Sequence, residues 1–278
     1  LVARGAAKGA KIALVARNGD GFVLVHFAVA KSGAALVPLN TQCTPRELEY
    51  MLDDADATLV AFDVEFAPKI AAIRAALPKI DRYIAIGAGA PPWAERLDDV
   101  IAAGAPHAPG IAVDEDDDYL VMYTSGTTGR PKGAVLTHRA RVHQAIQGVI
   151  DYHMTERQVT VLPVPLFHTG GLNTCFMPHM LSGATVVLLQ RFDIAEMLRT
   201  IEAERATMLF MVPAVAQAIV DHPDLARHDL SSIEWFMYGG APLPLEVLRR
   251  AAERLPHVRF LQGYGSTEAS QLTVLDGP

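Results

Sequence analysis

Cysteine is scarce in these 278 residues: only Cys43 and Cys175 occur, far apart, and they form no CxxC pair. That argues against a disulfide framework or a thiolate metal site and reads as two reduced, buried thiols of a cytosolic (cytoplasmic) protein. Long apolar runs are missing too. No stretch of ~18 residues is uninterruptedly apolar; the richest are broken by Pro213 or by Pro178, His179, Ser182 and Gly183. Neither a transmembrane segment nor a signal peptide is read. A basic excess is also lacking, with 24 Lys plus Arg against 31 Asp plus Glu and a net charge of −7. No nucleic-acid partner is expected, because backbone binding needs a concentrated basic face. There is no initiator Met: the chain opens at Leu1 and stops at Pro278 shortly after a polar motif, which predicts a piece of something longer.

Several catalytic signatures are absent as well. None of Ser32, Ser125, Ser182 or Ser266 sits in GxSxG, so a hydrolase elbow is not present. Gly87-Ala88-Gly89 fails the dinucleotide fingerprint, because Pro92 stands at the third Gly. The ten histidines include no HExxH, and His138 and His143 are spaced five apart, poorly placed for one helical face. His107, His222, His228 and His257 read as exposed loop residues.

What remains is an ordinary globular composition, half hydrophobic and one fifth charged, able to build a packed core. The length suits one large α/β domain or two of about 150 residues. Short apolar runs alternate with amphipathic stretches, predicting strands at Lys11–Arg17, Ala35–Leu39, Thr58–Phe62, Tyr83–Ile86, Tyr119–Tyr123, Val159–Val164, Thr185–Leu189, Met208–Val212, Glu234–Tyr238 and Val258–Leu261. Helices fall between them, as at Phe22–Lys31, Phe66–Leu77, Ile194–Glu204 and Leu245–Leu255. Thr44-Pro45-Arg46-Glu47 reads as a helix start, with Thr44 as cap, Pro45 at the first helical position and Glu47 closing a capping box. Strands separated by helices imply an α/β fold with mainly parallel sheets covered on both faces. The acidic run Asp114–Asp118 reads as a solvated loop before a strand. A lobe boundary is expected in the polar stretch Asp151–Gln158.

The most informative segment is Tyr123-Thr124-Ser125-Gly126-Thr127-Thr128-Gly129-Arg130-Pro131-Lys132-Gly133. Glycines let backbone N–H groups approach an anion, hydroxyls add donors, and a lysine adds a mobile charge, an inventory that suits a polyphosphate. It is not the Walker pattern: Pro131 stands where the second Gly belongs, and Gly133 where Ser or Thr should follow Lys132. On composition alone an ordinary Gly/Thr-rich loop fits equally well.

The run TSGTTGRPKG also resembles the phosphate loop of the adenylate-forming superfamily: acyl-CoA synthetases, luciferases and adenylation domains of peptide synthetases. Further segments follow in the family's order. Pro165-Leu166-Phe167-His168-Thr169-Gly170-Gly171 is similar to its acyl-pocket segment, and Tyr238-Gly239-Gly240-Ala241-Pro242 to the adenine and carboxylate floor. Gln262-Gly263-Tyr264-Gly265-Ser266-Thr267-Glu268 resembles the nucleotide motif ending in Thr-Glu, and Gly33–Asn40 with Thr44–Leu48 shares the family's look. The resemblance covers nearly the whole chain. It implies two abutting, mainly parallel βαβ lobes of the acyl-CoA synthetase N-terminal domain type, at 1–154 with the phosphate loop and at 155–278 with the acyl and adenine motifs.

The resemblance also implies a reaction, in which a carboxylate attacks the α-phosphate of ATP, expels pyrophosphate and leaves an acyl-adenylate. Coenzyme A would then take the acyl group and release AMP. Thr124, Ser125, Gly126, Thr127, Thr128 and Gly129 would wrap the phosphates, with Lys132 neutralising them. Glu268 and Thr127 would hold Mg2+, and Thr267 would hydrogen-bond the α-phosphate. Gly239, Gly240, Ala241, Pro242, Gly263, Tyr264 and Gly265 would line the nucleotide, with Tyr264 stacked on adenine or else packed in the core. His168 would gate the acyl pocket and contact the carboxylate, not act as a general base. Phe167–Leu172 holds no carboxylate to pair a substrate ammonium, which favours a plain carboxylic acid, a fatty acid first and an aryl acid second. Phe176, Met177 and Met180 read either as a pocket floor or as a core stripe.

A luciferase-like or amino-acid-activating relative and a non-catalytic nucleotide-binding module are the rival readings, and a homodimer is left open. The family's later Tyr-x-x-Gly-Asp motif, hinge and C-terminal domain with its catalytic Lys match nothing after Glu268, although Asp276 and Gly277 stand at the end. The expectation is that the isolated chain adenylates poorly while its parent is an AMP-forming acyl-CoA ligase.

Overall fold

In the computed structural model, which describes residues 1–124 and 129–276, the helix start at Thr44 is the predicted one. The Glu47 amide donates to Thr44 Oγ1 at 3.3 Å, and the Glu47 carboxylate accepts from the Thr44 amide at 2.7 Å. Two of the helix's orphan N-terminal donors are thus satisfied reciprocally.

The chain divides into two units, Leu1–Arg141 and Val142–Pro278. The first unit holds strands β1 (Lys11–Val15), β2 (Ala35–Pro38), β3 (Ala57–Asp63), β4 (Arg82–Ile86), β5 (Glu95–Arg96), β6 (Asp118–Thr124) and β7 (Lys132–Thr137). Their order is β5-β4-β3-β1-β2-β6-β7, all neighbours parallel except β6 and β7. The helices are α1 (Asp20–Lys31), α2 (Pro45–Asp54), α3 (Ala67–Ile73), α4 (Leu97–Ala102) and the start of α5 (His138–Asp151). One core face joins Val15, Val37 and Phe62 of the sheet to Leu48 and Met51 of α2 and Ile70 of α3, all buried. Each such side chain contributes roughly 1.5–3 kcal/mol by leaving water. The predicted helix Phe66–Leu77 is split: α3 is flanked by 3-10 turns at Val64–Phe66 and Arg74–Ala76. Pro68 in its first turn has no N–H to extend the helix backwards.

The second unit holds β8 (Val159–Leu162), β9 (Thr185–Leu188), β10 (Met208–Met211), β11 (Trp235–Gly239), β12 (Arg259–Ser266) and β13 (Ser270–Asp276). The order is β13-β12-β11-β10-β8-β9, parallel throughout except for β12 and β13. Its helices are α6 (Met177–Ser182), α7 (Ile194–Glu204), α8 (Pro213–Val220) and α9 (Leu245–Arg254). Met197 and Ile201 of α7 and Ile219 of α8 pack on Leu209, Met211 and Phe236 of the sheet. The predicted strand Val258–Leu261 runs on through the glycines to Ser266, because β11 pairs with it as far as Gly263 and β13 as far as Ser266, satisfying a backbone that glycine alone would leave loose. In each unit the parallel sheet is closed by one antiparallel edge strand, and a sequence motif runs into the connection between that strand and its partner.

Among the described residues no helix is long and apolar enough to cross a membrane. Cys175 is buried, and burial pushes its thiol up to about 12, whereas Cys43 is half-buried; both thiols are free.

Burial in the first unit also sets a pH dependence. His26 of α1 is 1% exposed, hydrogen-bonds Tyr119 at 2.5 Å, and has its pKa pushed down from 6.5 to about 4 by desolvation. Between those values the unfolded chain binds the proton and the folded one does not, so stability falls as pH drops from 6.5 towards 4. The loss amounts to about 3 kcal/mol. Urea melts between pH 7 and 4.5, followed at Trp93 in a Trp235→Phe background, are expected to show this slope with His26 present and a shallower one in His26→Gln; equal slopes would refute the assignment.

Candidate active site

The acyl-like segment begins where β8 ends. The His168 amide donates to the Pro165 carbonyl at 3.1 Å, and the Leu172 amide to the His168 carbonyl at 3.0 Å. Residues Gly170–Phe176 then form a wide π-type turn, a local distortion often found at functional sites. Gly171 has no room for a side chain: a Cβ there would stand 2.3 Å from the Pro165 carbonyl oxygen. Thr169 Oγ1 lies 3.1 Å from Ser270 Oγ, tying the segment to β13, and accepts from Asn173 Nδ2 at 3.1 Å.

The His168 ring is held in one state. Its Nδ1 accepts the Gly170 amide at 3.1 Å, so in the neutral ring the proton sits on Nε2. Neighbouring atoms crowd the ring although water still reaches it, and that desolvation lowers its pKa below 6.5. At neutral pH it is an uncharged Nε2–H donor, not a base waiting for a proton.

At the ends of β11 and β12 the chain is built on close backbone approach. Gly239 pairs with Gly263 in register, and a Cβ on Gly239 would come within 2.8 Å of the Gly263 carbonyl. Gly265 is tighter still, since a Cβ there would stand 1.8 Å from the Ser270 carbonyl oxygen. Tyr264 is 66% exposed, an open aromatic face and not a core residue. At the hairpin tip Ser266 Oγ accepts the Ala269 amide at 3.2 Å. The Glu268 carboxylate is exposed and held low by its own amide and the Ser266 hydroxyl, so it is ionised at neutral pH.

These pieces surround a cavity of about 190 Å³ at the carboxyl ends of β8, β10, β11 and β12, the edge where open parallel sheets bind ligands. Of the residues expected from sequence, it brings together His168, Gly239, Gly240, Gly263, Tyr264, Gly265 and Thr267. Ala241, Pro242 and Glu268 are exposed nearby in sequence but are not among its walls. Phe176, Met177 and Met180 do not floor it: Phe176 is buried in the core and Met180 is 43% exposed. The apolar wall is Val164, Phe210 and Val212, with the buried amide of Gln271 beside them. Sequence reading missed these four. Val212 directly follows β10 and Val164 stands two residues past the end of β8, strand-end positions that were a usable signal.

In the first unit the Gly/Thr-rich segment lies in sequence between the paired ends of β6 and β7. Thr124 and Lys132 face each other in register, and Gly129 turns at φ +102°. Ser125, Gly126, Thr127 and Thr128 lie outside the described residues. The base of the hairpin is anchored on α2: Tyr123 Oη donates to Asp54 Oδ2 at 2.7 Å, and Tyr50 Oη to the Pro131 carbonyl at 3.2 Å. Arg130 lies over the Tyr50 ring at 5.6 Å. Lys132 is exposed, and its side chain makes no hydrogen bond or ion pair among the described residues.

No group of three or more His, Cys, Asp or Glu side chains converges on a metal-sized space among the described residues. A single ionised carboxylate such as Glu268 fits Mg2+ only where phosphate oxygens and water complete the shell.

The family pattern described as AMP-binding enzyme matches residues 1–278. The chain is 35% identical over 277 residues to feruloyl-CoA synthase of Amycolatopsis sp, covering 99% of this chain and 53% of that protein. It is 34% identical over 272 residues to long-chain-fatty-acid–CoA ligase FadD13 of Mycobacterium tuberculosis, covering 97% and 52%. Among solved structures, the anthranilate CoA ligase AuaEII in complex with anthranoyl-AMP superposes with a TM-score of 0.90 at 28% identity, covering 94% of this chain and 51% of that one. The chain spans about half the length of the curated relatives it matches.

Proposed function

The chain belongs to the AMP-binding enzyme family, and from that premise we propose that it forms the acid- and nucleotide-binding part of an AMP-forming acid–CoA ligase acting on an aromatic acid. The observation that carries this reading is the cavity beside His168, about 190 Å³ in volume. The nucleotide takes the walls at Gly239, Gly263 and Tyr264, so only part of that volume is left for the acid, and a space of roughly 150 Å³ already takes a benzene ring. One aromatic ring against Val164, Phe210 and Val212 suits that size better than the medium- or long-chain fatty acid favoured on sequence alone. Feruloyl-CoA synthase and the anthranoyl-AMP complex support the same choice.

In the proposed reaction a carboxylate oxygen attacks the α-phosphorus of ATP, the bond to the bridging oxygen breaks, and pyrophosphate leaves with the electron pair. His168 Nε2–H holds the carboxylate, and the Thr267 hydroxyl donates to an α-phosphate oxygen. Tyr264 stacks on adenine, while Gly239 to Pro242 offer backbone without side-chain obstruction. Thr124, Gly129, Lys132 and the loop residues 125–128 hold the departing phosphates, where fixed donors and cations count most because charge develops there. Mg2+, held by Glu268 and Thr127 together with phosphate oxygens, would neutralise part of that charge. The thiolate of coenzyme A then attacks the acyl carbon and AMP leaves. Two free thiols and the lack of a membrane-crossing helix among the described residues support a cytoplasmic site of action.

Acid-dependent ATP–pyrophosphate exchange by the full-length protein tests this, with a panel of benzoic, cinnamic and C6–C16 fatty acids and mass spectrometry of the CoA products. Exchange led by aryl acids is expected. Exchange with fatty acids alone would overturn the aromatic assignment, and nucleotide binding without exchange for any acid would leave a non-catalytic binder. The isolated 278-residue chain is expected to exchange weakly.

A further inference from the structure

We propose that Gln271 selects, within the aromatic acids proposed above, those whose ring carries a hydrogen-bond donor, a hydroxyl or an amino group. The inference rests on that reading and on one unsatisfied atom. Gln271, the second residue of β13, is 4% exposed and forms part of the cavity wall. Its Nε2 donates to Asp151 Oδ2 at 3.1 Å. A carboxylate only accepts, so this bond fixes which end of the amide is nitrogen and points the carbonyl the other way. Gln147, one turn earlier on α5, donates to the same Asp151 oxygen at 3.2 Å and holds the carboxylate in place. Asp151 is therefore a positioning residue for the Gln271 amide.

The freed end, Gln271 Oε1, is buried and has no hydrogen-bond partner among the described residues. It stands 3.9 Å from where a Cβ on Gly263 would be, and Gly263 is itself part of the cavity wall. A buried carbonyl oxygen without a donor carries an uncompensated desolvation cost, which a ligand O–H or N–H removes and a C–H or methoxy group does not. Ser270, the preceding residue, bonds Thr169 beside His168, which puts this end of β13 within reach of the acid; a donor on the adenine amino group would instead show as a loss of AMP affinity in the variant.

Sites built to bond a substrate hydroxyl discriminate strongly against the analogue lacking it. The test uses the full-length protein and matched benzoic and cinnamic acids bearing hydroxyl, amino, methoxy or hydrogen at each ring position. Pyrophosphate exchange gives kcat/KM, and calorimetry gives the Kd for AMP. The wild type is expected to favour one donor-bearing acid over its matched donor-free partner by about ten- to a hundred-fold. In Gln271→Leu that ratio falls to near one while AMP affinity is unchanged. A ratio within one protein is insensitive to partial unfolding, and Gln271→Met serves if the leucine variant does not fold. Aryl acids turned over with no donor preference in the wild type would overturn the inference alone. So would an unchanged ratio in the variant, or a loss of AMP affinity in its place. Turnover of fatty acids only would overturn the aromatic reading and this inference with it.

Discussion

Replacing Gly265 with alanine is expected to cost the second unit at least about 3 kcal/mol, the range of severe backbone and packing lesions, and to abolish acid-dependent exchange. The added Cβ would stand 1.8 Å from the Ser270 carbonyl oxygen, 2.7 Å from its carbon and 2.9 Å from Gln271 Cα. All three are backbone atoms, so no rotamer change relieves the clash. The strands would have to part where Gly265 pairs with Gln271, beside a register shift between Tyr264 and Gly265 and a Ser270 already at φ +55°. Parting them removes the Thr169–Ser270 bond and displaces Thr267 and Gln271 from the cavity. Gly240 supplies the contrast: it has φ +83° but nothing within 4 Å of a Cβ, so Gly240→Ala costs only about 1 kcal/mol of backbone strain. The chain has two tryptophans, Trp93 in the first unit and Trp235 in the second. Thermal melts followed at Trp235 in a Trp93→Phe background therefore read the right unit. A drop of roughly 10 °C is expected for Gly265→Ala and a few degrees for Gly240→Ala. Equal melting of the two variants would mean that the close approach at Gly265 has been misjudged.

The features that make Gly265 critical show how far sequence could go. Parallel strands buried on both faces read as unbroken apolar runs, as in Ile12–Val15 or Met208–Met211, and their alternation with helices made the α/β class visible. Thr44 and Glu47 were legible because a capping box is local chemistry. The glycine-rich motifs were legible as motifs, but their reason was not. Gly171 is fixed by Pro165 six residues back, whereas Gly239 is fixed by Gly263 on the next strand, a contact that spacing does not encode.

The antiparallel edge strands β7 and β13 escaped reading, because Lys132–Thr137 and Ser270–Asp276 mix exposed and buried positions without the clean apolar run of the interior strands. The π-type turn after Thr169 has no sequence signature. Burial of the Gln271 amide depends on Asp151 in a distant helix, and that is tertiary information. The same limit explains the misplaced acyl floor: Phe176, Met177 and Met180 advertise apolarity, but the wall is formed by strand-end residues that topology alone brings together.

Lys132→Ala is expected to lower acid-dependent exchange by about a hundred- to a thousand-fold, the usual cost of removing one fixed group that stabilises developing charge. The lysine opens β7 opposite Thr124, at the foot of the hydroxyl-rich loop, and is exposed with no partner among the described residues. A structural lysine would pair with a carboxylate. Asp54, which anchors the hairpin, takes the Tyr123 hydroxyl, and no carboxylate pairs with the lysine among the described residues, which leaves its charge available to an anion. Because the side chain packs on little, its loss should shift unfolding by no more than about 0.5 kcal/mol, so an activity loss cannot be blamed on folding. The nucleotide series makes the test specific. If Lys132 neutralises the leaving phosphates, Lys132→Ala weakens ATP binding while AMP, which lacks those phosphates, binds as before. Lys132→Arg keeps the charge but changes its shape and reach, so it should recover part of the rate and most of the ATP affinity. Unchanged ATP affinity and turnover in Lys132→Ala would remove the lysine, and with it the Gly/Thr-rich segment, from the proposed phosphate site. An equal loss of ATP and AMP binding would move its contact to the α-phosphate.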